Sequence, residues 1–380
     1  MKISPFLTEH FYAQYEFTTP YQLCNSDCET LSIGELLKMA NGSWEEFGKL
    51  SLGYTETLGN PELRKQISAT YQSVQPSEVI VLGTPVEGIY LVARSVLNPG
   101  DEVIVFSPAY DALINTFEHV VGASHVHKWE FIPADTRWEL DFSQLQRMIS
   151  PQTKLLVVNF PHNPTGYLPS QSELEELARI TEQHNMILFC DEMYFGLVHS
   201  GSKEIKSAID VTARAIVLSG LSKTHGLPGL RTGWLIVKDE EIRKNLINWK
   251  FYTSICPPAP SEFLAMAALK VRDQLILRSV QRIEQNLQLA EAFFQRWPDL
   301  FQWRRPMAGS VALVGMNVDS VTRFAGELAE KAGVLIQPAI TLGSTDQYLR
   351  MGFGRAAFPE ALDKFEAYLN QKWKCENRTR

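Results

Sequence analysis

Long apolar runs are missing from this chain; none reaches the ~18 residues that a bilayer-spanning helix requires. No basic block stands out either: 36 Lys and Arg face 43 Asp and Glu, a formal charge of −7. That balance argues against nucleic acid and anionic membrane surfaces as partners. Cysteine is scarce, five in 380 residues, and only Cys24 and Cys28 lie close together. No second pair and no paired histidines complete a zinc set. The expectation is reduced thiols, no metal and a cytoplasmic location. Residues 1–6 lead into polar text (Thr8, Glu9, His10), so no signal peptide is evident.

What is present is an ordinary globular composition, 45% apolar and 21% charged. The length exceeds one compact core, so two domains are expected. Short β-branched apolar runs at 79–82, 102–106, 154–159, 186–190, 213–218 and 234–237 alternate with helical text. Strand, helix, strand in repetition predicts an α/β fold: a mostly parallel, doubly wound sheet with helices on both faces. Past Pro257 and Pro258 a long amphipathic helix is expected from about 261 to 295, broken near Arg272. A smaller α+β unit follows, with strands near 311–316, 334–337 and 348–352 and helices at 321–332 and 359–372. Aromatics crowd the first 45 residues (Phe6, Phe11, Tyr12, Tyr15) and suggest an arm laid over another surface. The large domain is placed at 46–274, with the arm (1–45) and 275–380 forming the rest.

The segment from Leu218 to Trp234 is a loop slung between two buried strands. Small residues there surround Lys223 and Arg231, eight positions apart. Such a lysine can be a solvated cation, a phosphate clamp, or a desolvated amine that forms a Schiff base with a carbonyl. Other candidates fall just after strands. Thr84, Pro85 and Val86 turn a strand into a helix N-terminus, an arrangement that suits an anion. Tyr110 can stack on a flat ring or pack in the core. Asn163 is locked by Pro161, Pro164 and Gly166; it can bond a ligand or simply form a turn. His162 beside it reads as a loop cap. Asp191 ends an apolar strand and needs a cationic partner unless it caps the next loop, and Tyr194 follows. Tyr54 precedes a helix that Asn60 would cap. Arg350, inside an apolar strand, needs an anion: a substrate carboxylate or a structural Asp or Glu.

Together Tyr54, Gly59, 99–101, 163–166, 191–194, Ser222-Lys223, 229–233 and Leu349-Arg350 resemble the class I/II aminotransferases of the fold-type I pyridoxal-phosphate enzymes. The resemblance implies pyridoxal 5'-phosphate as cofactor, an amino acid and a 2-oxo acid as substrates, and a homodimer with shared active sites. It implies Lys223 as the cofactor-bound lysine and acid/base, and Asp191 as partner of the pyridine nitrogen. Tyr194 and Asn163 would bond the ring oxygen, and Tyr110 would stack on the ring. Arg231, Thr84, Pro85 and Val86 would surround the phosphate, with Tyr54 reaching in from the partner subunit. Arg350 would take the substrate α-carboxylate, with Asn163 beside it. Gly220 stands where the family often has a phosphate-binding serine, leaving Ser219 or Ser222 as substitutes. The turn 83–87 also looks one residue longer than the commonest family form. The stretches 160–164 and 226–231 are similar to capreomycidine synthase, so elimination, replacement or cyclisation of an arginine derivative is the alternative activity. A non-catalytic cofactor-binding regulator would be expected to carry a basic DNA-reading domain, and the sequence shows none.

Overall fold

The strands at 79–82, 102–107, 153–159, 187–191, 215–220 and 233–237 are almost wholly buried on both faces, as strands covered by helices must be, whereas the edge strand at 126–130 is only partly so. They are named β1 (Val79–Leu82), β2 (Glu102–Ser107), β3 (Val126–Glu130), β4 (Thr153–Asn159), β5 (Ile187–Asp191), β6 (Ala215–Gly220) and β7 (Gly233–Val237). In this computed structural model, which describes residues 3–376 with side chains as far as Lys372, they form one seven-stranded sheet. Met1, Lys2 and the Cys375 side chain, all read above from sequence, lie outside the described residues.

The strand order is β1-β7-β6-β5-β4-β2-β3, and only β7 runs antiparallel to its neighbours. The alternation of strand and helix therefore gives the mostly parallel sheet the sequence predicts. Register places Asn159 of β4 opposite Asp191 of β5, and Asp191 opposite Leu218 of β6. Polar strand ends thus line up along one edge, where parallel sheets of this kind bind ligands. One face of the sheet packs Phe106, Trp129 and Leu156; the other packs Ile89, Val92 and Phe117.

A second core, with Ile283, Phe293 and Phe365 at its centre, lies under a four-stranded sheet. Its strands are β8 (Phe301–Gln302), β9 (Val311–Met316), β10 (Gln337–Pro338) and β11 (Tyr348–Gly352), in the order β8-β9-β11-β10. The strand expected at 334–337 divides in two. Val334–Leu335 pairs with Tyr21–Gln22 of the arm, whereas Gln337–Pro338 pairs with β11. The expected long helix is two, Ala259–Lys270 and Arg272–Arg296, separated at Val271. The helix capped by Asn60 runs from Pro61 to Ser68.

The arm begins with helix α1 (Leu7–Tyr15) and is tied down at both ends. Leu23 and Cys28 enter the second core, while Leu36 and Leu37 pack on the first. The amide of Gly352 donates to Leu23 O at 2.8 Å, and a Cβ at Gly352 would sit 1.8 Å from Asn25 O. Only glycine lets the arm cross β11 so closely. No helix among the described residues is long and apolar enough to cross a membrane.

Candidate active site

The carboxyl ends of β4, β5 and β6 open onto a cavity of about 490 Å³, roofed by the arm. Asp191 stands at its edge, 7% exposed. Its Oδ1 accepts from the Met193 amide at 3.0 Å, and its backbone carbonyl accepts from Asn159 Nδ2 at 2.7 Å. No lysine or arginine among the described residues forms an ion pair with it. Burial accordingly raises its pKa to about 7, against a smaller pull from the Met193 amide and Lys223. Glu192 turns the other way, to Ser207 Oγ at 2.8 Å and the Ala208 amide at 2.8 Å.

Lys223 reaches the cavity from the loop after β6, and its Nζ donates to Ser26 Oγ at 2.9 Å. Burial lowers its pKa, Asp27 opposes the change, and Arg350 and Arg231 add to it. An amine so placed gives up its proton more readily than a surface lysine does.

Arg231 adopts left-handed backbone, φ 54°, after the turn Pro228–Leu230. Its Nη2 donates to Thr84 Oγ1 at 2.7 Å. Thr84 is the residue before helix α2 (Pro85–Val96), whose N-terminus carries no side-chain cap. Pro85 has no N–H, and Val86 lacks an intrahelical acceptor, so a free amide and a guanidinium face the same end of the cavity. Ser222 Oγ there is buried with no hydrogen-bond partner. Ser219 is turned away instead, its Oγ donating to Glu192 O at 3.3 Å, because it lies in the sheet on the face opposite the cavity. Gly220 is required: a Cβ would come 2.8 Å from Thr232 O and 3.1 Å from Gly233 Cα.

Arg350 is 1% exposed, and no carboxylate among the described residues pairs with it. Its Nη1 donates to Asn163 Oδ1 at 3.1 Å; its Nη2 donates to Tyr12 OH at 2.6 Å and Cys24 O at 3.1 Å. Its Nε has no partner. A structural Asp or Glu is therefore not what holds this arginine. Asn163 is itself held by its amide donating to Asn159 Oδ1 at 2.7 Å. Tyr194 is buried at the cavity wall, its hydroxyl pKa pushed up by burial. Tyr110 also lines the cavity; its hydroxyl donates to Glu9 Oε1 at 2.9 Å and its ring lies 5.1 Å from Phe6.

Two candidates stand elsewhere. Tyr54 is 92% exposed and lies beside 256–260, outside the cavity of its own chain. His162 sits in the aromatic core, its Nδ1 2.8 Å from Thr165 Oγ1, its pKa lowered to about 3 by burial. Sequence reasoning missed Asn159, which ties Asp191 to Asn163, and the arm residues Glu9, Tyr12, Glu16, Ser26 and Asp27 together with Arg355. A readable signal existed for three of them. Glu9, Tyr12 and Glu16 are spaced three and four apart, one face of a helix.

The arrangement places a depressed amine and an unpaired carboxylate about one cavity, with an anion-binding corner at one end and an unpaired arginine at the other. The profile of the family described as aminotransferase class I and II matches residues 23–364. An aspartate aminotransferase of Sulfurisphaera tokodaii is 29% identical over 291 residues, 75% of this chain and 69% of that protein. A capreomycidine synthase of Streptomyces vinaceus is 27% identical over 340 residues, 89% of this chain and 86% of that one. A solved PLP-dependent aminotransferase from Streptococcus suis superposes with a TM-score of 0.89 at 28% identity, covering 98% of this chain and 99% of that chain.

Proposed function

Because the chain belongs to the class I and II aminotransferase family, and so is a pyridoxal-phosphate-dependent enzyme acting on amino acids and 2-oxo acids, we propose the following roles for its residues. The observation that carries them is that Lys223 and the unpaired Asp191 line one cavity whose far end is an anion site. The residues fit the cofactor on three counts. Asp191 is a buried carboxylate without a cation, which a protonated pyridine nitrogen supplies. Ser222 Oγ is an orphaned buried hydroxyl beside Arg231 and the start of α2, which together suit a phosphate. Tyr110 offers a ring face to a flat heterocycle.

When bound, pyridoxal phosphate supplies an aldehyde that condenses with amines and a ring that withdraws electrons from the substrate α-carbon. Everything else is done by the chain. Lys223 would hold the cofactor through its amine and, with that amine free, would take the proton from the substrate α-carbon and return it. Asp191 keeps the ring nitrogen protonated. Tyr194 and Asn163 orient the ring oxygen, while Arg231, Thr84, Val86 and Ser222 hold the phosphate. Arg350, poised by Asn163 and Tyr12, binds the substrate α-carboxylate in two-pronged fashion.

Lys223→Ala should abolish turnover and remove the absorbance of the lysine-bound cofactor. Full transamination by that variant would refute the assignment of Lys223. Keto acid plus pyridoxamine phosphate as products separates transamination from elimination or cyclisation.

The finer organisation belongs to the same proposal. Leu52, Tyr54 and Tyr252 are more than 80% exposed, and Phe251 and Ile255 are about half exposed. These apolar side chains fit a homodimer interface through which Tyr54 enters the partner's phosphate site. We place the large domain at 46–274 and the small unit at 275–380 with the arm, supported by their separate buried clusters. The free thiols Cys24, Cys28, Cys190 and Cys256 suit the reducing cytoplasm.

A further inference from the structure

Helix α1 presents Glu9 and Tyr12 to the cavity, and Glu16 follows at its C-terminal end. Asp27, in the extended segment after it, adds a third carboxylate. Arg355 donates to both oxygens of Asp27, at 3.1 and 2.7 Å, and Lys223 stands by at Ser26. Among the described residues, Glu9 accepts only from the neutral hydroxyl of Tyr110. Glu16 has no hydrogen bond or ion pair to its carboxylate among the described residues. Burial raises its pKa, and repulsion from Asp27 and Glu9 adds to the shift.

Arg350 gives an independent sign of a ligand in the same cavity: it is 99% removed from solvent, lacks a carboxylate partner and carries an unbonded Nε. The other charged groups of the cavity are already assigned, Arg231 to the helix terminus and Lys223 and Asp191 to the strand ends. Near the arm this leaves three carboxylates against Arg355, two of whose nitrogens bond Asp27, and Lys223, whose amine the cofactor would take when bound. The remaining arm residues there, Thr8, Asn25 and Ser26, are polar; the aliphatic lining, Val86, Ile89 and Leu218, comes from helix α2 and β6.

We propose that this site accepts an amino acid whose side chain ends in a cation, held by Glu16, Asp27 and Glu9 while its α-carboxylate meets Arg350. The proposal rests on the aminotransferase reading and names its substrate class. It separates this chain from the aspartate aminotransferases it is similar to. An acidic side chain would face like charge from Glu9 and Glu16, with Arg355 already paired to Asp27.

The test uses the cofactor-loaded enzyme. Binding is measured by calorimetry with 5-guanidinopentanoate, which has the shape of arginine without the reacting amine, against glutarate. The guanidino acid should bind at least tenfold more tightly. In half-reactions followed by cofactor absorbance, L-arginine should exceed both L-aspartate and L-citrulline, its neutral isostere, about tenfold or more in rate constant over dissociation constant. Glu16→Gln should shrink the arginine-to-citrulline ratio about tenfold, the worth of one charge-assisted hydrogen bond. Glutarate binding as tightly as the guanidino acid, or citrulline matching arginine, overturns the proposal. A guanidino preference with no half-reaction from any amino acid upholds it and counts instead against the roles given to Lys223 and Asp191.

Discussion

Replacing Asp191 by Asn should stabilise the cofactor-free protein while weakening its hold on the cofactor. Asp191 is 7% exposed and its carboxyl titrates near 7, raised by burial from an ordinary value of 3.8. A raised carboxyl binds its proton more tightly folded than unfolded. Stability therefore falls as pH climbs from about 4 to about 7 and is flat above that. Three pH units correspond to about 4 kcal/mol at pH 8, and about 2 kcal/mol is already lost at pH 5.5. A neutral amide of the same shape can keep the Met193 hydrogen bond and avoids this cost. At ~2.1 cal/mol/K per residue, a chain of this length has an unfolding entropy of about 0.8 kcal/mol/K. The Asn variant without cofactor should thus melt about 5 °C higher than the parent at pH 8 and about 3 °C higher at pH 5.5. Adding pyridoxal phosphate should reverse the order, since only the aspartate gains a charge partner. Scanning calorimetry at the two pH values, with and without cofactor, reads all four quantities. A cofactor-free Asn variant that melts at or below the parent at pH 8 would show that Asp191 is not an uncompensated buried charge.

Two further outcomes test the framework. Gly220→Ala should lower stability by about 1–3 kcal/mol, because a Cβ 2.8 Å from the Thr232 carbonyl forces β6 and β7 apart; an unchanged melting temperature would mean the strands are not so closely packed. Mixing Lys223→Ala with Tyr54→Ala subunits should regenerate activity as hybrids with one intact site, measured after unfolding and reassembly. Activity no higher than the sum of the separate variants would remove Tyr54 from the partner's site.

The fold was largely legible because the signals for it are local. The buried strands 79–82, 154–159 and 187–191 are continuous apolar runs between turn-formers, and the Asn60 cap announces its helix. The division of 334–337 was not legible. Each half pairs with a strand remote in the chain, Tyr21–Gln22 or Tyr348–Gly352, and nothing within the four residues states which. The choice between Ser219 and Ser222 was of the same kind. Ser219 leaves β6 by the face away from the cavity while Ser222 stands in the loop beyond the strand, and only the fold shows which of them lines it.

The sequence by itself marked the polar candidates, Lys223, Arg231, Asp191 and Asn163 in loops and at strand ends and Arg350 inside an apolar strand, but left a structural alternative open for most of them. Tertiary structure alone decided what surrounds them. The arm folds back over the strand ends, bringing Glu9, Glu16 and Asp27 within reach of residues 200 to 340 positions later. Contacts across such separations leave no periodicity in the chain, since they depend on how two cores dock, and it is there that the charge of the substrate is read.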